Sequence, residues 1–510
     1  MRILVSTSDK TGLIEFLKPF MGPGLEVVST GGTYEYLKKN GFSPIEVSQV
    51  TGFPEVLDGR VKTLHPMIHM GLLADKYNAE HMQQMNEKKV AAFDMVIGNL
   101  YPFEKTALKD GVGLDELIEN IDIGGPSFLR ASAKNYRSVI VICMPTDYEW
   151  VQAKILENKL TDEDRKTLAL KVFSLTSYYD ALIVHRLATG NENFEFLNLP
   201  LKLKQKLRYG ENPQQTATWY ANPLSSHSIA DAHFHQGKEL SYNNLLDLDA
   251  ASGLVGLFER PGCVAVKHNN PCGAAVADTV FQAAIKAIQS DPKSIFGGIV
   301  AFNRPVDEET AKAFKDIFLE CVIAPEFSES ALKVFAAKKN LRVLTLKSLL
   351  SSGAGEAGLK SISGGLLVQE ADSFSTESWE FISDKPGDQL YKSMVFGEKV
   401  CAALKSNAIA VVENEQTIGL GMGQVNRVDA VHHALTRMRD YMSRQNIKTE
   451  NAVLVSDAFF PFADSIELIA EAGIRWILQP GGSVQDQNVI DAAKSKNINM
   501  VLTKRRHFKH

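Results

Sequence analysis

Lys267 and His268 stand side by side in the segment Lys-His-Asn-Asn-Pro-Cys-Gly at 267–273, directly after the apolar run 262–266. On a regular strand adjacent side chains face opposite ways, but Asn-Asn-Pro enforces a turn that can bring both towards one pocket. An imidazole there can take a proton at neutral pH, and an ammonium beside it can stabilise a developing negative charge. A zinc site is the competing chemistry, since nucleobase deaminases carry H-x-E and then P-C-x-x-C. Pro271 and Cys272 match, but Ala275 occupies the place of the second cysteine and the His-x-Glu half has no counterpart, so no catalytic metal is expected.

The first half holds weaker signals that gain from being together. Ser-Thr-Ser-Asp-Lys-Thr-Gly at 6–12 and Ser-Thr-Gly-Gly-Thr at 29–33 each follow a strand-like run and open a helical pattern, where backbone N–H groups can hold an anion. Either one alone is as well explained by an ordinary glycine turn. Arg60, Lys62 and His65 share the stretch 60–66; on one strand face the first two could converge on a ligand, and otherwise they are a solvated edge. Tyr101 lies in Asn-Leu-Tyr-Pro-Phe at 99–103, where Pro102 keeps it out of a helix and packing is the plain alternative. Asp122 precedes Gly-Gly-Pro, whose Pro126 suits the first position of a helix, and Lys134 follows further along it; capping and solvation are their ordinary roles.

These residues need strands to carry them. The runs 2–6, 25–30, 94–100 and 138–143 alternate with helical patterns, which predicts a parallel sheet with loops for ligands beyond the carboxyl ends of its strands. Thr161, with Asp164 three positions on, caps a long helix running towards Gly190, read as an arm leaving the first domain. Residues 191–205 read as a linker. Beyond Lys206, the runs 262–273 and 452–464 each end in a polar cluster with a proline and lead into a helix, which suggests two related α/β modules without a fixed repeat period. Gly-Leu-Gly-Met-Gly-Gln at 419–424 fails the dinucleotide-binding spacing, because Gln424 stands where the third glycine belongs.

A length of 510 residues implies two or more domains, and 45% hydrophobic with 23% charged residues is globular composition. Net charge −5 argues against general nucleic-acid binding. Five widely spaced cysteines fit reduced thiols, and no leader-like or membrane-length apolar run is visible, so a cytoplasmic, membrane-free protein is expected. The basic run 504–509 is either a solvated tail or an anion-binding end folded onto a site.

Taken in order, SDKTG, STGGT, RVKTLHP, NLYPF, IDIGG and AKN resemble the cyclohydrolase domain of the AICAR transformylase/IMP cyclohydrolase family. RYGENPQ, KHNNPCG, SIFGG, KSN, GLGMGQ, SDAFFPFAD and PGGS resemble its transformylase domain. The resemblance covers the whole chain. It implies a methylglyoxal-synthase-like parallel-sheet domain (core 1–145 plus the helical arm, to 190), the linker 191–205, and two cytidine-deaminase-like α/β modules over 206–510. It implies Lys62, Tyr101, Asp122 and Lys134 around the reacting groups of the cyclohydrolase, with Ser8, Asp9, Lys10, Ser29, Gly31, Gly32, Thr33, Arg60, Thr63, Asn99 and Gly125 around its nucleotide. It further implies that Lys267, His268 and Asn407 are catalytic in formyl transfer. Arg208, Tyr209, Gly297, Glu320 and Arg506 would meet the AICAR nucleotide, and Arg427, Val428, Phe459, Asp464, Ser483 and Val484 the folate. Glu320 stands where some relatives have Asp, and Val425 where Met is common. The implied ligands are AICAR, FAICAR, IMP and 10-formyltetrahydrofolate, with no metal, no nucleic acid and a homodimer. The alternatives are a cyclohydrolase alone, a phosphate-eliminating enzyme on the same sheet, and a non-catalytic nucleotide or folate sensor. The first two leave the second half unexplained, and a sensor has no use for Lys267, His268, Lys134 and Tyr101 together.

Overall fold

The computed structural model describes residues 1–189, 194–225, 228–350 and 358–510. Gly190 and residues 191–193 of the expected linker lie outside the described residues, as do 351–357 of the Ser/Gly-rich stretch. The chain forms two compact units, residues 1–202 with 221–224, and 203–220 with 225–510.

Among the described residues, the first unit holds a 5-stranded sheet, ordered β3-β2-β1-β4-β5, of β1 (Arg2–Ser6), β2 (Glu26–Ser29), β3 (Ile45–Glu46), β4 (Met95–Gly98) and β5 (Ile140–Ile142). Every pairing is parallel. The apolar runs are unbroken because helices cover both faces: Ile3, Leu4 and Val5 are wholly buried. The chain moves from β1 outward to β3, then returns to place β4 on the other side of β1. The loops after β1 and β4 therefore flank the point where strand order reverses, the place such sheets offer a ligand. Strand β3 was not read from the sequence, because two residues are too short to show a pattern.

Thr161 and Asp164 form the expected capping box, the Asp164 N–H donating to Thr161 Oγ1 at 3.2 Å and the Thr161 N–H to Asp164 Oδ2 at 2.9 Å. The helix it starts, Asp162–Leu187, is not an arm leaving the domain. Leu168, Ala169 and Val172 belong to the core around the sheet, and Tyr179 and Leu182 pack with Phe103, since a lone helix with this apolar face would expose it.

Among the described residues, the second unit is built on a 12-stranded sheet: β6 (His233–Gln236), β7 (Gly262–Lys267), β8 (Asn270–Val276), β9 (Gly298–Phe302), β10 (Leu319–Ala324), β11 (Arg342–Thr345), β12 (Glu380–Phe381), β13 (Ile409–Glu413), β14 (Gln416–Gly421), β15 (Val453–Ser456), β16 (Trp476–Gln479) and β17 (Asn499–Leu502). Its order is β12-β17-β16-β15-β13-β14-β8-β7-β9-β10-β11-β6. In each half a hairpin (β7-β8, β13-β14) is followed by an antiparallel neighbour of its first strand (β9, β15) and two parallel strands (β10-β11, β16-β17). An antiparallel edge strand, β6 or β12, closes each half, and the halves meet antiparallel at β8 and β14. The unit is a duplicated α/β module with a pseudo-two-fold at that seam. The two hairpin turns match as well: His268 and Asn269 have φ of 53° and 60°, Asn414 and Glu415 of 48° and 55°. Both positions left-handed is the mark of a two-residue type I′ turn.

One sequence reading changes here, and another gains its reason. Pro271, Cys272 and Gly273 do not lead straight into a helix; they lie in β8, with a register irregularity between Pro271 and Gly273, and the helix Val280–Ser290 comes later. The glycines at 419 and 421 lie in β14 against the helix Arg427–Gln445. A Cβ would fall 2.2 Å from the Ala434 carbonyl oxygen at 419, and 2.1 Å from that of Ala430 at 421. They are glycines because helix and strand approach closely, which is why their spacing fits no nucleotide loop.

Candidate active sites

In the first unit, the loop after β1 is pinned by the loop after β4. Asn99 Oδ1 accepts the N–H groups of Ser8 at 2.7 Å and Asp9 at 2.9 Å, and its amide donates to the Asp9 carbonyl at 2.7 Å. The Asp9 carboxylate turns onto Thr11, accepting its hydroxyl at 2.7 Å and its N–H at 2.9 Å; these bonds hold its pKa below the ordinary range. The loop after β2 is sewn to the same place. Thr33 Oγ1 accepts the Thr7 N–H at 3.0 Å and donates to the Thr7 carbonyl at 2.9 Å. Ser29 Oγ donates to the Val5 carbonyl at 2.8 Å. The helix Gly31–Lys39 begins there, inside the 29–33 motif, and its first N–H groups have no intrahelical acceptor.

Residues 60–63 form turns after the short 3-10 helix Leu57–Gly59, not a strand, so Arg60 and Lys62 converge by chain reversal. Each is held by a carboxylate that sequence reading did not single out: Lys62 Nζ lies 2.6 Å from Glu55, and Arg60 pairs with Glu119. Asp122 precedes the helix Gly124–Lys134, with Pro126 at its third position instead of the first; the first four N–H groups need no helical partner, so proline fits there equally. Asp122 accepts the N–H groups of Gly125 at 2.8 Å and Tyr101 at 3.2 Å. Burial raises its pKa despite these bonds.

One cleft of about 670 Å³ gathers Ser8, Lys10, Gly31, Gly32, Thr33, Arg60, Lys62, Thr63, Asn99, Tyr101, Asp122 and Gly125, together with Ser6, Thr30, Glu119, Ile123 and Phe128. Three expected residues are not among its lining. Asp9 faces Thr11, Ser29 is sealed with its hydroxyl used by β1, and Lys134 stands exposed in the last turn of its helix. Six residues separate Lys134 from Phe128, the last residue of its helix to line the cleft, a rise of about 9 Å along an α-helix.

In the second unit the expected residues come from elements far apart in sequence, yet strand direction puts them on one edge of the sheet. Lys267 ends β7 and His268 follows it, Gly297 precedes β9, Glu320 lies at the start of β10, and Asn407 precedes β13. Arg427 follows β14, Phe459 and Asp464 follow β15, Ser483 and Val484 follow β16, and Arg506 follows β17. The alternation of parallel and antiparallel pairings turns all of these ends the same way.

Lys267 Nζ donates to the Phe296 carbonyl at 2.6 Å, beside Gly297. His268 is exposed in the type I′ turn, which is anchored by the Asn269 N–H on Asp247 Oδ1 at 2.5 Å. Burial raises the pKa of Asp247, with that hydrogen bond and His268 opposing. Asn270 Oδ1 accepts the Lys405 N–H at 3.0 Å, tying the turn to the loop that carries Asn407, whose side-chain amide donates to the Gln424 carbonyl at 2.8 Å. A cavity of about 500 Å³ opens beside Lys267 and His268 towards Asp291, Arg437 and Arg444. Arg208 lies over Tyr209 at 5.6 Å, Arg506 over Phe508 at 4.4 Å, and Glu320 pairs with Arg342 at 2.8 Å.

Arg427 departs from expectation. Its guanidinium is buried, pairs with Asp457 and donates to the Ala408 carbonyl at 3.0 Å, so it is turned into the protein; a buried cation requires such a partner. Val484 is fully exposed and Phe459 half-buried. The Cys272 thiol is pushed up to about 12 by burial. Among the described residues no group of three or more His, Cys, Asp or Glu side chains is arranged to hold a metal ion. No helix among them is long and apolar enough to cross a membrane.

A parallel α/β unit with sewn anion loops, followed by a duplicated α/β unit with a Lys-His turn at its sheet edge, defines a two-site protein of the nucleotide-handling α/β class. Residues 12–127 match the family model described as an MGS-like domain, and residues 132–437 that of the AICARFT/IMPCHase bienzyme. The "Bifunctional purine biosynthesis protein PurH" of Caldicellulosiruptor saccharolyticus is 48% identical over 100% of this chain and 99% of its own length. The protein of that name from Bacillus cereus strain B4264 is also 48% identical, with the same coverage. A crystal structure of ForH aligns with a TM-score of 0.34 at 29% identity, over 37% of this chain and 98% of that one. The chain belongs to the AICARFT/IMPCHase bienzyme family.

Proposed function

We propose that this chain catalyses the last two steps of IMP synthesis: formyl transfer from 10-formyltetrahydrofolate to AICAR, giving FAICAR, and dehydrating ring closure of FAICAR to IMP. The observation that carries the reading is full-length similarity to bifunctional PurH proteins in a chain that keeps both a basic nucleotide-sized cleft and the Lys267-His268 turn. Residues 1–190 would hold the cyclohydrolase and 206–510 the transformylase.

In formyl transfer the AICAR amine attacks the formyl carbon, His268 takes the amine proton, and Lys267 stabilises charge on the formyl oxygen until the folate nitrogen leaves and is protonated. Asn407 orients the formyl group. The amine is conjugated with its ring and is a weak nucleophile, so a second reaction that consumes FAICAR draws the first forward. In ring closure the carboxamide nitrogen attacks the formyl carbon of the same molecule and water departs. Positioning by the cleft supplies most of that acceleration, with Lys62, Tyr101 and Asp122 at the reacting groups. Lys134, outside its own chain's cleft, is assigned no step. No metal enters either reaction.

Two features support a homodimer with shared transformylase sites. The starts of β9 and β10 and the ends of β15 and β16 are as much as seven strand positions apart, about 34 Å at ~4.8 Å each, wider than one pocket. The hairpin Gly358–Ile362 with Gly365–Gln369 also leaves Leu359, Ile362, Leu366, Leu367 and Val368 exposed, and an isolated hairpin is marginal in water. Sedimentation of a fully active monomer at micromolar concentration would refute this.

The test of function is an ultraviolet assay for IMP, first from AICAR with 10-formyltetrahydrofolate, then from FAICAR alone. Both should yield IMP; a chain that cyclises FAICAR yet never forms it from AICAR would leave only the first unit's activity.

A further inference from the structure

His507 lies in the basic run near residue 510, yet it is 4% exposed. Its Nδ1 is 2.7 Å from Asp372 Oδ2 and its Nε2 3.4 Å from Glu398 Oε1, while its ring stacks on Phe374 with centroids 5.1 Å apart. Its N–H donates to the Asp457 carbonyl at 2.9 Å. Two residues on, the Lys509 N–H donates to Ser406 Oγ at 3.1 Å and the Lys509 carbonyl accepts the Ser406 N–H at 2.9 Å. The segment is thus stapled to the peptide that leads into Asn407. On its other side Arg505 donates to Ser373 Oγ at 2.9 Å.

We propose that His507, clamped between Asp372 and Glu398, is a positioning residue for formyl transfer, fixing Arg506 at the nucleotide edge and, through Lys509 and Ser406, the loop of Asn407. The proposal rests on the reading that Arg506 meets the AICAR nucleotide. Glu398 is 3% exposed, and a carboxylate so enclosed needs a cation; the imidazolium is that cation. The other charged groups nearby are engaged elsewhere: Arg505 with Ser373, and Asp457 with Arg427 and Ser406. A glutamine in place of His507 can fill the space but cannot bear charge against both carboxylates, so Arg506 loses its fixed place without losing its side chain.

The experiment compares His507→Gln, Arg506→Ala and the double variant in the full chain, measuring KM and kcat for AICAR and for pre-formed FAICAR. We expect His507→Gln to raise KM for AICAR about 10-fold or more, as misplacement by an ångström does, with FAICAR cyclisation unchanged. In KM for AICAR the double variant should lose little beyond Arg506→Ala, because that part of the effect runs through Arg506, while the part that runs through the Asn407 loop should appear in kcat. In the wild type KM should rise towards pH 9, and in His507→Gln that rise should vanish. A folded His507→Gln with normal KM, or KM losses that multiply in the double variant, overturns the proposal while leaving the Arg506 reading in place. Normal KM in Arg506→Ala removes that reading, and this proposal with it. If His507→Gln fails to fold, Asp372→Asn, which keeps the buried contact with Glu398, should raise KM about 3-fold; no change would overturn the proposal.

Discussion

Gly125 lies so close to Asp122 that its N–H donates to Oδ1 at 2.8 Å, and a Cβ added to it would come within 2.4 Å of Oδ2. A side chain at 125 therefore displaces the carboxylate that also receives the Tyr101 N–H. Alanine has the higher intrinsic helix propensity, by up to about 1 kcal/mol, and in this buried first turn that offsets part of the clash. Gly125→Ala should lower FAICAR cyclisation at least ~10-fold, consistent with misplaced reacting groups, with little change in Tm and normal formyl transfer. Paired cyclisation assays and thermal melts check it, and undiminished cyclisation would show that Asp122 is not needed where it stands.

The two lysines of the first unit should separate. Lys62 lines the cleft and Lys134 does not, so Lys62→Ala should reduce ring closure by ~100-fold or more, as loss of a positioned acid/base or charge-stabilising group does, and leave formyl transfer intact. FAICAR would then accumulate from AICAR. Lys134→Ala should stay within about 3-fold of wild type, the scale of a solvated surface change. An equal loss at Lys134 would mean that its side chain reaches the reacting atoms and that it belongs with Lys62.

His268 has φ 53°, so the substitution that tests its chemistry has to respect the turn. Asparagine tolerates the left-handed region and accepts no proton at neutral pH. His268→Asn should keep the fold and cyclise FAICAR normally, but lose formyl transfer by about 100-fold. Single-turnover formyl transfer measures this; retained activity would assign His268 to the turn alone.

Stability should carry the mark of His507. Burial alone lowers its pKa, but the hydrogen bonds and charges of Asp372 and Glu398 prevail and raise it to about 9. The unfolded imidazole titrates near ~6.5, so the folded form binds the proton more tightly. The stabilisation is complete below about pH 6.5 and is lost as pH rises to about 9, on the order of 3 kcal/mol at most. Denaturant titrations at pH 6 and pH 9.5 should show that decline in the wild type and a much smaller one in His507→Gln. Parallel pH curves would mean the clamp does not hold a proton.

Sequence alone determined the elements and the chemistry-bearing types. Short apolar runs such as 3–5 and 262–266 fit strands buried on both faces, and Thr161 with Asp164 is a local capping pattern that needs no distant partner. The ordered motifs, read as a set, singled out Lys62, Tyr101, Asp122, Lys134, Lys267, His268 and Asn407 as candidates. Tertiary structure decided what those side chains face. Arg427 reads as a ligand-binding cation until the fold brings Asp457, 30 residues away, against it. Ser29 reads as an anion donor until β1 takes its hydroxyl, and Lys134, read as a catalytic group, ends its helix without joining the residues that line the cleft. Glu55, Glu119 and the Asp372–His507–Glu398 cluster gave no local signal. Their partners are distant in sequence, and hydrogen bonds and ion pairs depend on separations of a few ångströms that only the folded chain fixes.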